Sequence, residues 1–213
     1  MEQWIHRLLA DPEMVRMGHG QRAVDANLGL GWIYYALARA LRPARAVVIG
    51  SWRGFVPIVL GRAMAENVEG GEVVFIDPSL VDDFWKDPAA VAAQFRDKGV
   101  TNVTHHRATT QEFVGTDAYR TLGEVGLLFI DGLHTHEQAR YDYEAFRDKL
   151  APGAIVLFHD SVRTRTSRIY GVDKPYVHSV VEFIDELRTD ARLQVLDVPL
   201  ADGLTMVRRR DLP

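Results

Sequence analysis

The chain has 213 residues, a net charge of −4, 47% hydrophobic and 25% charged side chains, and no cysteine. That length supports one substantial domain with at most a small appendage, and the composition is that of a folded globular protein rather than a disordered one. The charge gives no reason to expect nucleic acid or an anionic membrane as a partner, and the missing cysteine excludes disulfides, thiolate zinc sites and a cysteine nucleophile.

The start, MEQWIHRLLADPE, meets acidic residues and a proline before any apolar stretch reaches signal-peptide length. No apolar run approaches the roughly 20 residues of a membrane span. A cytoplasmic protein is expected.

A short helix is predicted over residues 2–9. A longer one is predicted over 21–41, where Val24, Leu28, Trp32, Tyr35 and Leu37 recur near helical spacing until Pro43. Residues 46–49 read as a short buried strand closed by Gly50-Ser51-Trp52-Arg53-Gly54. The next helix covers 55–66, with Pro57 tolerated in its first turn. Gly70-Gly71 turns the chain into a second strand, 72–77, followed by a helix over 88–98 stopped at Gly99.

A weaker third strand spans 100–106, and a short helical piece opens at 111–113. The fourth strand, 126–131, leads into a helix over 135–150 that ends at Pro152-Gly153. The fifth strand is 154–158 and runs into His159-Asp160. After an irregular stretch, 161–178, a helix is predicted over 177–188, and strands at 194–198 and 204–207 are joined through Ala201-Asp202-Gly203. Strands alternating with helices imply an α/β fold, and the near-continuous apolar strands imply a parallel sheet buried on both faces. The expected architecture is a doubly wound, mostly parallel seven-stranded sheet with helices on both faces and an antiparallel strand from the C-terminal hairpin. Residues 1–42 are expected to form a helical lid or cap, and 43–213 the main domain.

In such folds the first strand-to-helix turn holds the ligand. Here it is VVIGSWRGFVP, which lacks the glycine spacing of a dinucleotide fingerprint and the Gly-Lys-Ser/Thr of a phosphate loop. What remains is Gly50-x-x-x-Gly54, a turn that lets backbone approach a ligand. Asp77 then ends the second strand, where a carboxylate accepts both hydroxyls of a ribose. A tight turn and an acidic strand end are also common without any ligand.

The fourth strand runs LLFIDGLHTHEQ, four apolar residues delivering Asp131, His134, His136 and Glu137 to a strand end. VVIGSWRGF, EVVFIDPS, LLFIDGLHTHEQARYDYEAF and LAPGAIVLFHDS, with the closing hairpin, resemble in order and spacing the class I S-adenosylmethionine-dependent methyltransferases. The similarity covers roughly residues 44–210 and is greatest with the branch whose strand ends read FIDG-x-H and HD, which methylates oxygen on small molecules and sugars.

The resemblance implies a Rossmann-like methyltransferase fold with S-adenosyl-L-methionine as cofactor. Gly50, Ser51 and Gly54 would line its methionine part, Asp77 would bind its ribose, Ala108 and Thr109 would lie near its adenine, and Asp131 would sit beside the methyl group. Two departures stand out: Val48 replaces an acidic residue that would meet the cofactor's amino group, and Trp52 replaces the middle glycine. The acceptor would be a small molecule or sugar, with no nucleic acid or membrane partner, and a homodimer is compatible.

Asp131 and Asp160 end adjacent strands about 4.8 Å apart, and two carboxylates that close either share a proton or bind a cation. Metal-dependent relatives hold a divalent ion (Mg or Mn) at these two positions, adding an acidic or amide residue where this chain has Ser161; His134 or His159 would complete a mixed site of the kind manganese, iron or zinc accepts. The rival is metal-free transfer. His134 is the expected base in either case, with Asp131 as its catalytic partner. A non-catalytic assembly module with the same fold is the alternative, against which the titratable cluster argues. The stretch 161–178, with three arginines, a lysine and two tyrosines, and the segment Gly18-His19-Gly20 are expected to close over the acceptor.

Overall fold

The computed structural model describes residues 1–16, 18–168 and 171–210. Nine strands and eight α-helices are assigned among them. In chain order they are α1 (Glu2–Leu9), α2 (Gly31–Leu41), β1 (Arg45–Ile49), α3 (Phe55–Ala65), β2 (Glu72–Ile76), α4 (Pro88–Asp97), β3 (Val103–His106), α5 (Thr110–Phe113) and α6 (Asp117–Arg120). Then follow β4 (Val125–Ile130), α7 (His136–Arg147), β5 (Leu150–His159), β6 (Arg165–Ser167), β7 (Tyr176–His178), α8 (Val180–Thr189), β8 (Leu193–Val198) and β9 (Leu204–Arg209).

Seven strands form one sheet in the order β3-β2-β1-β4-β5-β9-β8, and β6 and β7 form a separate two-stranded ribbon. Five strands, β1 to β5, run parallel, and β9 returns antiparallel against β5 with β8 outermost. The order reverses between β1 and β4, which opens a crevice at the carboxyl ends of the strands.

Alternation along each strand sends residues to two cores. Ala46, Val48, Phe75, Phe129 and Leu157 join α1 to α4 on one face, while Val47, Ile49, Val74, Ile130 and Phe158 join α7 and α8 on the other. Burial on both faces is why these strands read as continuous apolar runs. The N-terminal helices belong to the first core: Trp4, Ile5, Leu8 and Leu9 of α1 and Tyr34 and Ala38 of α2 are buried.

Three segments differ from their sequence expectation. The helix expected from 21 begins only at Gly31. Residues 22–27 instead close a turn through an Arg22–Asn27 bridge, which leaves Val24 91% exposed. The side chain of Asn27 accepts from Gly29 N–H, and a Cβ at Gly29 would lie 2.2 Å from the His19 carbonyl oxygen, so tertiary contact overrides the helical spacing. Pro152-Gly153 lies within β5 rather than ending a helix. Residues 176–178 pair as a strand, and the helix starts at Val180.

Candidate active site

The crevice is a cleft of about 490 Å³. Its floor starts at Gly50, whose N–H donates to the Ile76 carbonyl, while Asp131 N–H donates to the Ile49 carbonyl. Gly50 has φ +70°, and a Cβ there would lie 2.3 Å from the Asp131 carbonyl oxygen. Glycine is therefore required both by conformation and by the close approach of β1 and β4. Trp52 also has positive φ, +44°, a strain of roughly 1–2 kcal/mol for a residue with a side chain. Trp85 Nε1–H donates to the Trp52 carbonyl at 2.7 Å, and the Arg53 guanidinium stacks 4.5 Å over the Trp52 ring. Those contacts hold a glycine-like turn without the glycine.

At the end of β2, the Asp77 carboxylate faces the cleft and accepts from Ser79 N–H at 2.8 Å. Burial pushes its pKa up to about 6, against the opposing N–H groups of Ser79 and Ser51. Beyond β3, Ala108, Thr109, Thr110 and Gln111 form a wall facing Gln138 and Asp142 of α7. Thr109 caps α5 through a reciprocal bond pair with Glu112, which fixes that wall.

The other half of the cleft gathers four histidines around two carboxylates. His159 Nδ1 lies 2.8 Å from Asp131 Oδ1 in a hydrogen bond. His134 Nε2 stands 3.6 Å from Asp131 Oδ1 and 3.7 Å from Asp160 Oδ2. His178 Nδ1 lies 3.1 Å from the same Asp160 oxygen but out of hydrogen-bond alignment. Arg165 donates to that oxygen as well. His19 inserts beside them, its ring 4.2 Å from that of His159 and its Nδ1 3.0 Å from the Tyr34 hydroxyl.

Protonation in this cluster follows from burial and charge. Burial alone would lower His159, but the charge and hydrogen bond of Asp131, aided by Asp160, carry it up to about 9, so it is an imidazolium at neutral pH. Burial drops His134 to about 4 despite both carboxylates, so it is neutral. His19 is also held well below the ordinary value, by burial and then by the His159 charge. Burial would raise Asp160, yet its contact with His178, the charge of His159 and the Arg165 hydrogen bond hold it well below the usual carboxylate range. The site thus contains two internal ion pairs, Asp131 with His159 and Asp160 with Arg165, with neutral His134 and His19 beside them.

A family model of methyltransferase domains matches residues 47–161, more than half of the chain. The chain belongs to that family. Among solved structures, an O-methyltransferase from Bacillus cereus in complex with SAH is similar with a TM-score of 0.68 and 14% identity, over 99% of this chain and 92% of that one. A putative O-methyltransferase from Klebsiella pneumoniae gives 0.67 and 16%, over 98% and 90%. The O-methyltransferase TomG from Streptomyces achromogenes in complex with SAM gives 0.63 and 18%, over 96% and 86%. These similarities show the Rossmann-like methyltransferase fold. An uncharacterized protein of Sinorhizobium fredii, y4gI, is 29% identical over 138 residues, which are 59% of this chain but only 14% of that protein's length.

The chain brings most of its sequence-predicted site residues together. Gly50, Ser51, Asp77, Ala108, Thr109, Asp131, His134 and Asp160 all line the one cleft. Gly54 stands behind it as the residue before α3, at φ +87°, its open side against Trp85. Val48 is wholly buried in the first core and offers no acceptor to the cleft. Ser161 is turned away, its hydroxyl bonded to the Phe158 carbonyl and to Thr205. His136 and Glu137 occupy the first turn of α7 behind the Thr135 cap, and His136 pairs with Glu186 at 2.8 Å outside the cleft.

Sequence reasoning offered His159 only as a metal ligand and missed its pairing with Asp131, and it missed the parts played by Arg165 and His178. His159 was visible as the residue before Asp160. Arg165 and His178 come from the β6–β7 ribbon, whose pairing sets Arg165 opposite His178. No local spacing reveals that pairing. Ser179 N–H donates to the His134 carbonyl at 2.8 Å and ties the ribbon's end to the site.

Proposed function

We propose that this methyltransferase transfers the methyl group of S-adenosylmethionine to a hydroxyl of a small molecule or sugar. The observation that carries the reading is the convergence of five strand ends on one cleft, with a backbone-lined turn and a ribose-competent carboxylate at one side and a titratable cluster at the other. The sulfonium makes the methyl electrophilic by itself, so the protein's task is alignment and management of one proton. As the acceptor oxygen attacks, its bond to the methyl carbon forms, the carbon–sulfur bond breaks, and the hydroxyl proton passes to a base.

His134 is the proposed base: it is neutral, and it faces Asp131 and Asp160, which favour the imidazolium it becomes. The Asp131–His159 pair fixes the strand end beside the methyl group. Gly50 and Ser51 with Asp77 hold methionine and ribose, Gly54 supports that turn from behind against Trp85, and Ala108 and Thr109 flank the adenine. The Gly18-His19-Gly20 segment and the β6–β7 ribbon close the acceptor side, the narrower form in which the N-terminal cap of residues 1–42 enters the proposal.

A second reading, metal-assisted transfer, is favoured by His134, Asp160 and His178, whose ligand atoms all lie within 4.8 Å of one another. Asp131 and Asp160 as a pair suit an ion less well, because His159 and Arg165 already neutralise them. Two imidazoles and one carboxylate suit manganese, iron or zinc better than magnesium. A bound ion would supply acidity to the acceptor hydroxyl and would take the place of Arg165 on Asp160.

Calorimetry with S-adenosylhomocysteine, followed by transfer of labelled methyl from S-adenosylmethionine to a panel of polyhydroxylated acceptors, tests the first reading. Binding with measurable transfer is expected. Absence of any binding at millimolar ligand would overturn it. Turnover that survives exhaustive chelation, with no calorimetric manganese or zinc binding, would remove the metal.

A further inference from the structure

Asp142, on the inner face of α7, is wholly buried, yet it lines the cleft. Its two oxygens are treated differently. Oδ1 accepts from Gln138 Nε2 at 2.7 Å, and the Gln138 amide oxygen accepts from Gln111 Nε2 at 2.9 Å. This relay runs from the α5 wall to the carboxylate and fixes its rotation. Oδ2 has no hydrogen-bond partner. Burial pushes the Asp142 carboxyl up to about 6, against the Thr110 hydroxyl and the Gln138 amide, and Oδ2 stays unsatisfied. A buried acceptor left unpaired costs about 1–3 kcal/mol, so a fully buried carboxylate oxygen facing a ligand cleft calls for a donor from the ligand.

Gly132 packs beside Oδ2. A Cβ there would stand 3.6 Å from Oδ2 and 3.5 Å from Ile49 Cγ2. Oδ2 itself has no exposed surface, so at Asp131-Gly132 only backbone stands beside the buried carboxylate. Within the cleft, Asp142 lies with Thr110, Gln111 and Gln138, beside the Ala108 and Thr109 wall proposed above to flank the adenine.

We propose that Asp142 reads the exocyclic amine of the cofactor's nucleobase, Oδ2 accepting one of its N–H groups, and so makes the site selective for 6-aminopurine nucleosides. The inference rests on the cofactor reading above and names a contact on α7, outside the strand-end positions that the sequence pointed to. Gln138 and Gln111 are positioning residues, holding Oδ1 so that Oδ2 faces the ligand.

The test compares two ligands by calorimetry: S-adenosylhomocysteine and its 6-deamino analogue, which keeps the purine ring and lacks the amine. Wild type is expected to bind the adenosyl compound about tenfold or more tightly, as for one charge-assisted bond. Asp142→Leu, which keeps the branching at Cγ and carries no acceptor, is expected to bring the ratio near one while binding of the deamino analogue persists. Equal affinity of the two ligands in wild type would overturn the proposal without any variant. So would an Asp142→Leu protein that weakens both ligands in parallel, which is the signature of a carboxylate that only supports the Thr110 wall. Failure of wild type to bind either ligand would overturn the cofactor reading itself, a result distinct from both.

Discussion

The two halves of the cleft are built on different plans. The half at β1, β2 and β3 is made of backbone and single side chains presented by local turns: Gly50 and Asp77 follow their strands directly, and Ala108 and Thr109 lie in the turn just after β3. The half at β4 and β5 is assembled from segments far apart in the chain, with His19, Asp131, His134, Asp160, Arg165 and His178 within one cluster. A part that each strand end can supply alone serves a ligand of fixed shape. A part that needs five segments in register serves chemistry and an acceptor that differ between proteins of one fold.

If that division holds, damage to one half should spare the other. His134→Ala is expected to lower turnover by about 10²–10⁴-fold, the usual contribution of a positioned general base, while affinity for S-adenosylhomocysteine stays within a factor of about two. Steady-state rates beside calorimetry check it. Equal losses in both would show that the two halves are not separable.

Gly50→Ala joins the halves in the opposite sense, since its Cβ would strike the Asp131 carbonyl from β1. The strained φ and the overlap together are expected to cost about 3 kcal/mol of stability, read as a shift of the urea midpoint with loss of cofactor binding. An unchanged midpoint would mean that β1 and β4 do not meet as described.

Asp77→Asn probes the nucleoside half alone. Loss of a charged acceptor for the ribose hydroxyls is expected to weaken S-adenosylhomocysteine about tenfold, with the maximal rate at saturating cofactor unchanged. Equal affinity of variant and wild type would remove Asp77 from the site.

The smallest effect is in the stability of the ligand-free protein. The folded pKa of Asp77 is raised from 3.8 to about 6 by burial. Between those values the folded state holds a proton that the unfolded chain has released, so stability from this group falls as pH rises through the window. Asp77→Asn removes that cost. The variant is expected to be at least as stable as wild type at pH 7, with the advantage shrinking towards pH 4, in paired thermal melts. A variant less stable at pH 7 than at pH 4, relative to wild type, would reverse the sign.

The strands were legible because burial on both faces writes uninterrupted apolar runs such as Leu127-Leu128-Phe129-Ile130, and the turns because Gly50 and Asp77 must follow those runs directly. Where the sequence misled, a local pattern lost to a distant contact. The spacing of Val24 and Leu28 suggested a helix that the packing of Gly29 on His19 forbids.

The sequence by itself determined the strand–helix alternation, the glycine turn, the carboxylate at the end of β2 and the arrival of Asp131 and Asp160 at one edge. Each depends on hydrophobic period or on one residue's backbone freedom, and both are local. Only the tertiary structure decided which cation each carboxylate keeps. His159 on Asp131 and Arg165 on Asp160, with His178 behind, depend on the folding back of a ribbon and of an N-terminal loop. It also decided that Asp142, one polar residue on a mostly polar helix, is buried with an oxygen turned to the cleft. Burial and charge pairing between distant segments are properties of the assembled molecule, and no spacing along the chain records them.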